Sequence, residues 1–341
     1  MKTAWAVDKK KIETNQIDYS PPGDDQVAVK IKACGICGTD LHFYNDLPGG
    51  SPIPLGHEVS GEIYQTGKNA ASLKKGQPVV VQNHIPCGRC TNCLNGNYSL
   101  CKNILTYMEH SAGMAEYLVV PKKMVIPFED LTHVEAAIAE PITVALDLTQ
   151  EAKLEPMHSV LVSGPGIIGL CSIRLSKTAG AEKIAALGRN FETPRGRKRM
   201  EAARYMGAEW VYDTSTQDWK QNIKKDHPEG FDRVIITSPP GTIPDLLEMA
   251  CFGGVAAFNG ISYKQESITF NANYFHFNKL KLNASHAIPN WGFPRAFRLL
   301  KENILQHDVL VTHTFGFDQI QEAFEAAGSR DLEVIKVVVT F

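Results

Sequence analysis

The chain has little net charge of either sign. Its 35 Lys and Arg residues nearly balance 37 Asp and Glu, for a net of -2, and no long basic run dominates a face. Affinity for nucleic acid comes largely from neutralising phosphates, so no nucleic-acid partner is expected. No apolar run is long enough to span a bilayer, so no membrane partner is expected either. The N-terminal MKTAWAVDKKK lacks an apolar core of signal-peptide length, and a cytoplasmic location is the expectation. Internal repeats and low-complexity segments are also missing. Cysteine is sparse, eight in 341 residues. In a reducing compartment, clustered cysteines are metal ligands more often than disulfides. What is present is ordinary for a soluble globular protein: 43% hydrophobic and 21% charged residues. The length exceeds one comfortable core and fits two domains.

Half of the cysteines fall in one short stretch, HIPCGRCTNCLNGNYSLC. Cys87, Cys90, Cys93 and Cys101 are spaced C-x2-C-x2-C-x7-C. Thiolates two residues apart in a turn can converge on one ion, and four complete the tetrahedral shell of a closed zinc site. The intervening Gly88, Asn92, Asn95, Gly96 and Asn97 suit a chain folded around a metal rather than a helix or strand. A redox or disulfide cluster is the competing reading. A four-thiolate site has no open position, so this ion holds a lobe together and the chemistry lies elsewhere.

Two kinds of organisation follow one another. Up to about residue 145 the chain reads as short strands between Gly, Pro and Asn turns: VAVKIKA from Val27, PVVVQN from Pro78, AEYLVV from Ala115. From His158 apolar strands alternate with helices. SVLVSG precedes a helix near 166–179, KIAALG a basic helix ending at Gly207, and FDRVIITS a helix around 245–250, before the strand GGVAAFNG. That alternation predicts an α/β fold with a doubly wound parallel sheet. Residues 290–341 change again, with helices near 294–301 and 317–327 and a final strand, VIKVVVTF.

The turn after the first of those strands is GPGIIG, comprising Gly164, Gly166, Ile167, Ile168 and Gly169 around Pro165. G-x-G-x-x-G alone is a weak signal. Here it follows a strand and opens a helix, the context a dinucleotide-binding fingerprint requires. Its glycines allow a tight turn and close approach to pyrophosphate, and the helix N-terminus faces the phosphates. An ordinary βα turn is the plainer reading. At the end of the second strand, NAD-binding units place an acid that bonds the ribose 2′-hydroxyl. This chain has Gly188 there, followed by Arg189. No carboxylate is read at this point to repel a 2′-phosphate, and a guanidinium is at hand to pair with one. NADP is therefore expected over NAD. Arg195, Arg197, Lys198 and Arg199 follow and read mainly as a solvated helix face.

A third constellation lies in the first region. CGICGTDLH carries Cys37, Thr39, Asp40 and His42, and GHE carries His57 and Glu58. Cys, His and a carboxylate form a plausible three-ligand set for a catalytic zinc with an open position. Glu140, in AEPITVALD, is a further candidate, either as a ligand or as a partner of a zinc-bound water. Phe43 and Tyr44 read equally as pocket walls or as core. Cys34 has no metal partner in sequence, nor do Cys171 and Cys251, for which buried packing is expected.

With these motifs in order, the chain resembles the zinc-dependent medium-chain alcohol dehydrogenases over essentially its whole length. CGICGTDLH, GHEVSGEI, the four-cysteine lobe, AGMAEYLVV and SGPGIIG carry the resemblance. It implies a GroES-like, mostly β catalytic domain with both zincs at 1–145 and 287–341, and a Rossmann coenzyme domain at 146–286. It implies Cys37 and His57 as catalytic zinc ligands, and Thr39 and His42 as the proton relay. Asp40 would orient a histidine ligand. Glu140 replaces the cysteine of simple alcohol dehydrogenases, which resembles the polyol and sugar branch, including sorbitol, galactitol-phosphate and threonine dehydrogenases. In that branch Glu58 or Glu140 coordinates zinc, directly or through water. Many branch members carry histidine where this chain has Asp147.

The function implied is a zinc-dependent oxidoreductase. It moves a hydride between a nicotinamide cofactor and the CH–OH group of a sugar, polyol or cyclitol. An amino-alcohol or simple alcohol dehydrogenase is the alternative, and a binding protein on a dehydrogenase scaffold the remote one. The resemblance further implies a homo-oligomer, tetramer or dimer. It brings part of the stretch 273–290, rich in aromatics, histidine and asparagine, toward the substrate.

Overall fold

The computed structural model describes residues 1–50, 52–262, 267–289 and 291–341. Asn290, the last residue of the stretch read as substrate-proximal, lies outside them. The chain divides into two compact units. The first comprises Met1–Thr143, Ile288–Ser329 and Lys336–Phe341, and the second comprises Val144–Ala287 and Arg330–Ile335.

The first unit is built on a seven-stranded sheet. Its spine runs Val125–Pro127, Pro78–Val81, Glu58–Thr66, Gln26–Gly35, Lys336–Thr340 and Val311–Gly316, with Tyr117–Pro121 also paired to Gln26–Gly35. The central strand QVAVKIKACG is buried along most of its length, as expected for a strand covered on both faces. Its last residues meet two segments from far away in sequence. Gly35 pairs with Glu58 on one side and with Val338 on the other. That register brings the end of the chain beside the GHE motif.

The second unit is a six-stranded sheet, ordered Trp210–Asp213, Lys183–Gly188, Ser159–Ser163, Phe231–Ile236, Ala250–Phe258 and Lys281–Ala284. Every pairing in it is parallel, and helices link the strands, the doubly wound arrangement expected. Its core includes Leu161, Leu187, Ile223, Phe231, Ile236 and Leu247.

Several local expectations are corrected. The four-cysteine lobe, expected to be turns alone, holds two short helical turns, Thr91–Leu94 and the 3-10 turn Tyr98–Leu100. The helix expected around 245–250 covers Ile243–Leu247, and Ala250 already opens the next strand. A helix the sequence reading passed over, Ala139–Glu151, begins with AEP. Proline is tolerated in a first turn, where its missing N–H has no intrahelical partner. Glu140 therefore sits in the opening turn of a helix.

Candidate active site

In the cysteine lobe, the Sγ atoms of Cys87 and Cys93 are 4.0 Å apart, those of Cys90 and Cys93 3.5 Å, and those of Cys90 and Cys101 3.9 Å. The edge of a tetrahedron with zinc–sulfur bonds near 2.3 Å is about 3.8 Å, whereas a disulfide needs about 2.05 Å. None of the eight cysteines is in a disulfide. Backbone amides of Arg89 and Cys90 donate to Cys87 Sγ, and that of Cys87 donates to Cys101 Sγ. The Arg89 amide foremost draws Cys87 below the ordinary thiol range. Amides of Cys93 and Lys102 bring Cys90 to about 6. Thiolates are what a metal binds, so the donor set and its spacing fit one closed zinc site.

A second convergence lies at the end of the central strand. Ligand atoms of Cys37, His57 and Glu58 all fall within 4.8 Å of one another. Local sequence explains the assembly. Cys37 precedes the helix Gly38–Asp46, and Asp40 reaches back to accept the Cys37 N–H at 2.9 Å. The other oxygen of Asp40 accepts the Gly56 N–H at 2.9 Å and stands 3.6 Å from His57 Nδ1. Asp40 thus ties the two ligand segments together through their backbones. Burial opposes its charge, but His57 and these amides hold the carboxyl below the usual range. His57 Nδ1 and Glu58 Oε2 are buried without a hydrogen-bond partner. Buried polar atoms are rarely left so, and a metal ion held among these donors would satisfy the Glu58 oxygen.

Glu58 occupies space that a side chain on Gly35 would take. A Cβ there would lie 2.0 Å from Glu58 Oε2. Glu58 Oε1 accepts from Lys336 Nζ at 2.5 Å, and that ammonium also donates to Ile36 C=O at 2.7 Å. Both side chains are almost wholly buried. Burial alone would discharge Lys336, but the charges of Glu58 and Cys37 outweigh it and raise its pKa. Sequence reasoning missed Lys336, although a lysine inside VIKVVVTF was the available signal. Glu140 does not join the three converging ligands. It is buried, with Asn83 Nδ2 3.4 Å from its Oε1. Burial lifts its carboxyl above the usual range; Glu58 adds to this and His57 opposes it.

Thr39 and His42 are three residues apart on the helix Gly38–Asp46 and so share a face. His42 Nδ1 lies 3.1 Å from Asp46 Oδ2. Tyr44 is core rather than pocket wall. Its ring packs on Phe324 and its hydroxyl accepts from Gln321 Nε2; Phe43 is half-buried beside His42. Cys34 and Cys171 are fully buried, whereas Cys251 is half-buried with its Sγ 3.6 Å from Asp232 Oδ1. Asp147 accepts from Ser285 Oγ at 2.6 Å and Ala287 N–H at 3.2 Å, a structural pairing within the second unit.

In that unit, the fingerprint glycines have separate jobs. Gly164 has φ +94°, and a Cβ there would meet Thr237 Oγ1 at 2.5 Å. A Cβ on Gly169 would lie 2.1 Å from Gly164 O, so this glycine lets helix and strand pack closely. At Gly166, which precedes the helix Ile167–Thr178, a Cβ would meet nothing within 4 Å. The open backbone at that helix start is what a pyrophosphate needs. At the end of the second strand, a Cβ on Gly188 would meet the Phe191 ring at 2.5 Å, so a side chain there would require that ring to move. Arg189 is exposed. A carboxylate does stand one strand over, which the sequence reading had not foreseen. Asp213 pairs in register with Gly188 and accepts the N–H groups of Asn190, Phe191 and Ser215. Burial opposes its charge, but those amides hold its carboxyl low.

Comparison with known proteins bears on the family and the fold. Residues 23–130 match the alcohol dehydrogenase GroES-like domain and 168–302 the zinc-binding dehydrogenase domain. L-galactonate-5-dehydrogenase of Escherichia coli K12 is 30% identical, with 97% of this chain and 96% of that protein aligned. L-threonine 3-dehydrogenase of Pyrococcus abyssi is 31% identical, covering 92% and 91%. Among solved structures, an alcohol dehydrogenase of E. coli CFT073 complexed with NADH superposes with a TM-score of 0.89 at 25% identity, over 100% and 99% of the two chains. A zinc-binding dehydrogenase of Sinorhizobium meliloti 1021 bound to NADP gives 0.88 at 25% over the same shares. The chain belongs to the zinc-dependent medium-chain alcohol and polyol dehydrogenases, oxidoreductases that act on CH–OH groups.

Proposed function

We propose that this enzyme oxidises a CH–OH group of a sugar, polyol or cyclitol, with NADP preferred to NAD and two zinc ions per chain. The observation that carries the reading is the donor set. A thiol, an imidazole and a carboxylate converge, and a second carboxylate and a buried ammonium stand beside them. Charge so concentrated in a buried site suits a substrate with several hydroxyls better than a bare aliphatic alcohol.

Cys37, His57 and Glu58 would hold the catalytic metal, and Cys87, Cys90, Cys93 and Cys101 the structural one. When bound, zinc supplies Lewis-acid polarisation of the substrate oxygen and the nicotinamide accepts hydride. Glu140 acts from outside the ligand set as a buried hydrogen-bonding carboxyl. Thr39 and His42 carry the substrate proton outward, with Asp46 holding the Nδ1 side of the imidazole. Gly164, Gly166, Ile167, Ile168 and Gly169 form the pyrophosphate cradle, and Gly188 with Arg189 admits the 2′-phosphate. Asp213, kept ionised by its amide bonds one strand over, opposes a 2′-phosphate, so the NADP preference rests on the Arg189 guanidinium outweighing it. Residues 1–145 and 287–341, which take in the whole first unit, serve as the catalytic domain, and residues 146–286, all within the second unit, as the coenzyme domain. Cysteines outside any disulfide support a cytoplasmic setting, and family membership supports a homo-oligomer. No helix of the described residues is long and apolar enough to cross a membrane.

The test is a spectrophotometric screen for reduced nicotinamide, pairing NAD and NADP with alcohols, polyols, aldoses, inositols, sugar acids and L-threonine. Turnover of a polyhydroxylated substrate with NADP, with the NADP preference lost in Arg189→Ala, supports the reading. Turnover confined to L-threonine or simple alcohols with NAD contradicts it.

A further inference from the structure

Tyr107 has no role in the chemistry above, yet its hydroxyl is a buried polar atom without a hydrogen-bond partner. The residue is 6% exposed. Unpaired buried hydroxyls are uncommon and call for a reason. The chain path supplies one. Immediately before Tyr107, Leu105–Thr106 pairs with His84–Ile85, next to Asn83, the residue that reaches Glu140. Immediately after the loop, Gly113 N–H donates to Gly56 C=O and Met114 N–H donates to Leu55 C=O. A Cβ on Gly113 would lie 2.3 Å from Gly56 O, so glycine is what permits this closeness. One end of the loop is therefore fastened beside Asn83 and the other beside His57.

The groups whose charge acts on the phenol agree with that placement. Burial is the largest cause that raises the phenol's pKa; Cys34 and the carboxylates of Glu140, Asp40 and Glu58 add to it, and the hydroxyl stays protonated. Nearby, Asn83 Oδ1 is a second buried atom without a partner. The surroundings are thus polar and already rich in acceptors, and the phenol is an available donor.

We propose that Tyr107 is a specificity-determining residue whose hydroxyl donates to a second hydroxyl of the substrate, one not undergoing oxidation. The inference rests on the substrate class proposed above. A simple alcohol has no group for this hydroxyl to meet. A polyhydroxylated substrate satisfies it.

The experiment compares zinc-loaded wild type and Tyr107→Phe on the best polyol or sugar from the screen and on a simple secondary alcohol. Loss of one buried hydrogen bond corresponds to about a tenfold change in affinity. Tyr107→Phe should raise KM for the polyol about tenfold and leave kcat/KM for the simple alcohol within about twofold. Thermal stability should hold or rise, since the hydroxyl makes no bond to the protein. Equal loss on both substrates, or a fall in stability with unchanged selectivity, would make the residue structural and overturn the proposal. Tyr107→Trp, which keeps an aromatic ring and an N–H donor, is a second variant. If it folds, holds its zinc and shows no change of selectivity between the two substrates, the proposal is also overturned. If wild type turns over no polyhydroxylated substrate, the substrate reading itself has failed, and the role of Tyr107 falls with it.

Discussion

Replacing Lys336 by methionine isolates one interaction at the centre of the site. Lys336 and Glu58 form an ion pair with both side chains nearly inaccessible, 3% and 1% exposed. Methionine keeps much of the volume and removes the charge, so Glu58 is left buried without its partner. Breaking a buried pair from one side costs about 3–5 kcal/mol. For a unit of roughly 190 residues, each kcal/mol shifts Tm by about 2–4 °C, so the metal-free variant should melt roughly 6–20 °C below metal-free wild type. Zinc at Cys37, His57 and Glu58 would supply a substitute positive charge. The zinc-loaded variant should therefore lose less than half as much. Loss of the structural zinc is common to both metal-free chains and cancels in the comparison. The assay is a thermal melt of four samples, wild type and Lys336→Met, each stripped and reloaded. Adding Glu58→Gln to Lys336→Met should recover most of the stripped loss, because the stranded charge is gone. Equal losses with and without zinc, or no recovery in the double variant, would refute the reasoning.

Two further outcomes are expected. Gly35→Ala forces Glu58 Oε2 away from a Cβ that would sit 2.0 Å from it. It should lower kcat/KM at least tenfold and weaken retention of one zinc against a chelator, while the other zinc stays. In the second unit, His227 lies against Trp210 at 4.7 Å and Phe231 at 4.5 Å, with its Nε2 unpartnered. Burial lowers its pKa; Asp226 and Glu209 oppose the shift and Lys183 adds to it. The neutral ring is the folded form, so its contribution is present above the ordinary histidine range near 6.5 and is lost as pH falls through the lower folded value. His227→Phe should flatten the fall in Tm below about pH 6.5, and an unchanged pH profile would remove His227 as a cause.

The features legible in the sequence were those encoded locally. Cysteine spacing in 87–101, the GPGIIG turn and the pairs Thr39/His42 and His57/Glu58 each sit within one short segment, where backbone periodicity dictates what can converge. Alternating apolar strands and helices announced the parallel sheet for the same reason. What escaped depends on register between distant strands. Lys336 is 278 residues from Glu58 and meets it only because both flank Gly35 in the sheet. Asp213 meets the Gly188 turn through an adjacent parallel strand. Tyr107 reads as an ordinary loop aromatic until the two ends of its loop are located. Tyr44 illustrates the converse: its place beside His42 suggested a pocket, but helix periodicity turns it toward Phe324 and the core.

The most direct measurement is the zinc content of purified wild type and of Cys37→Ser by elemental mass spectrometry. Two zinc ions per wild-type chain, and one in a folded but inactive Cys37→Ser, is the expected result. One zinc in wild type, or two in an active Cys37→Ser, would contradict the assignment of Cys37, His57 and Glu58 as a catalytic metal site.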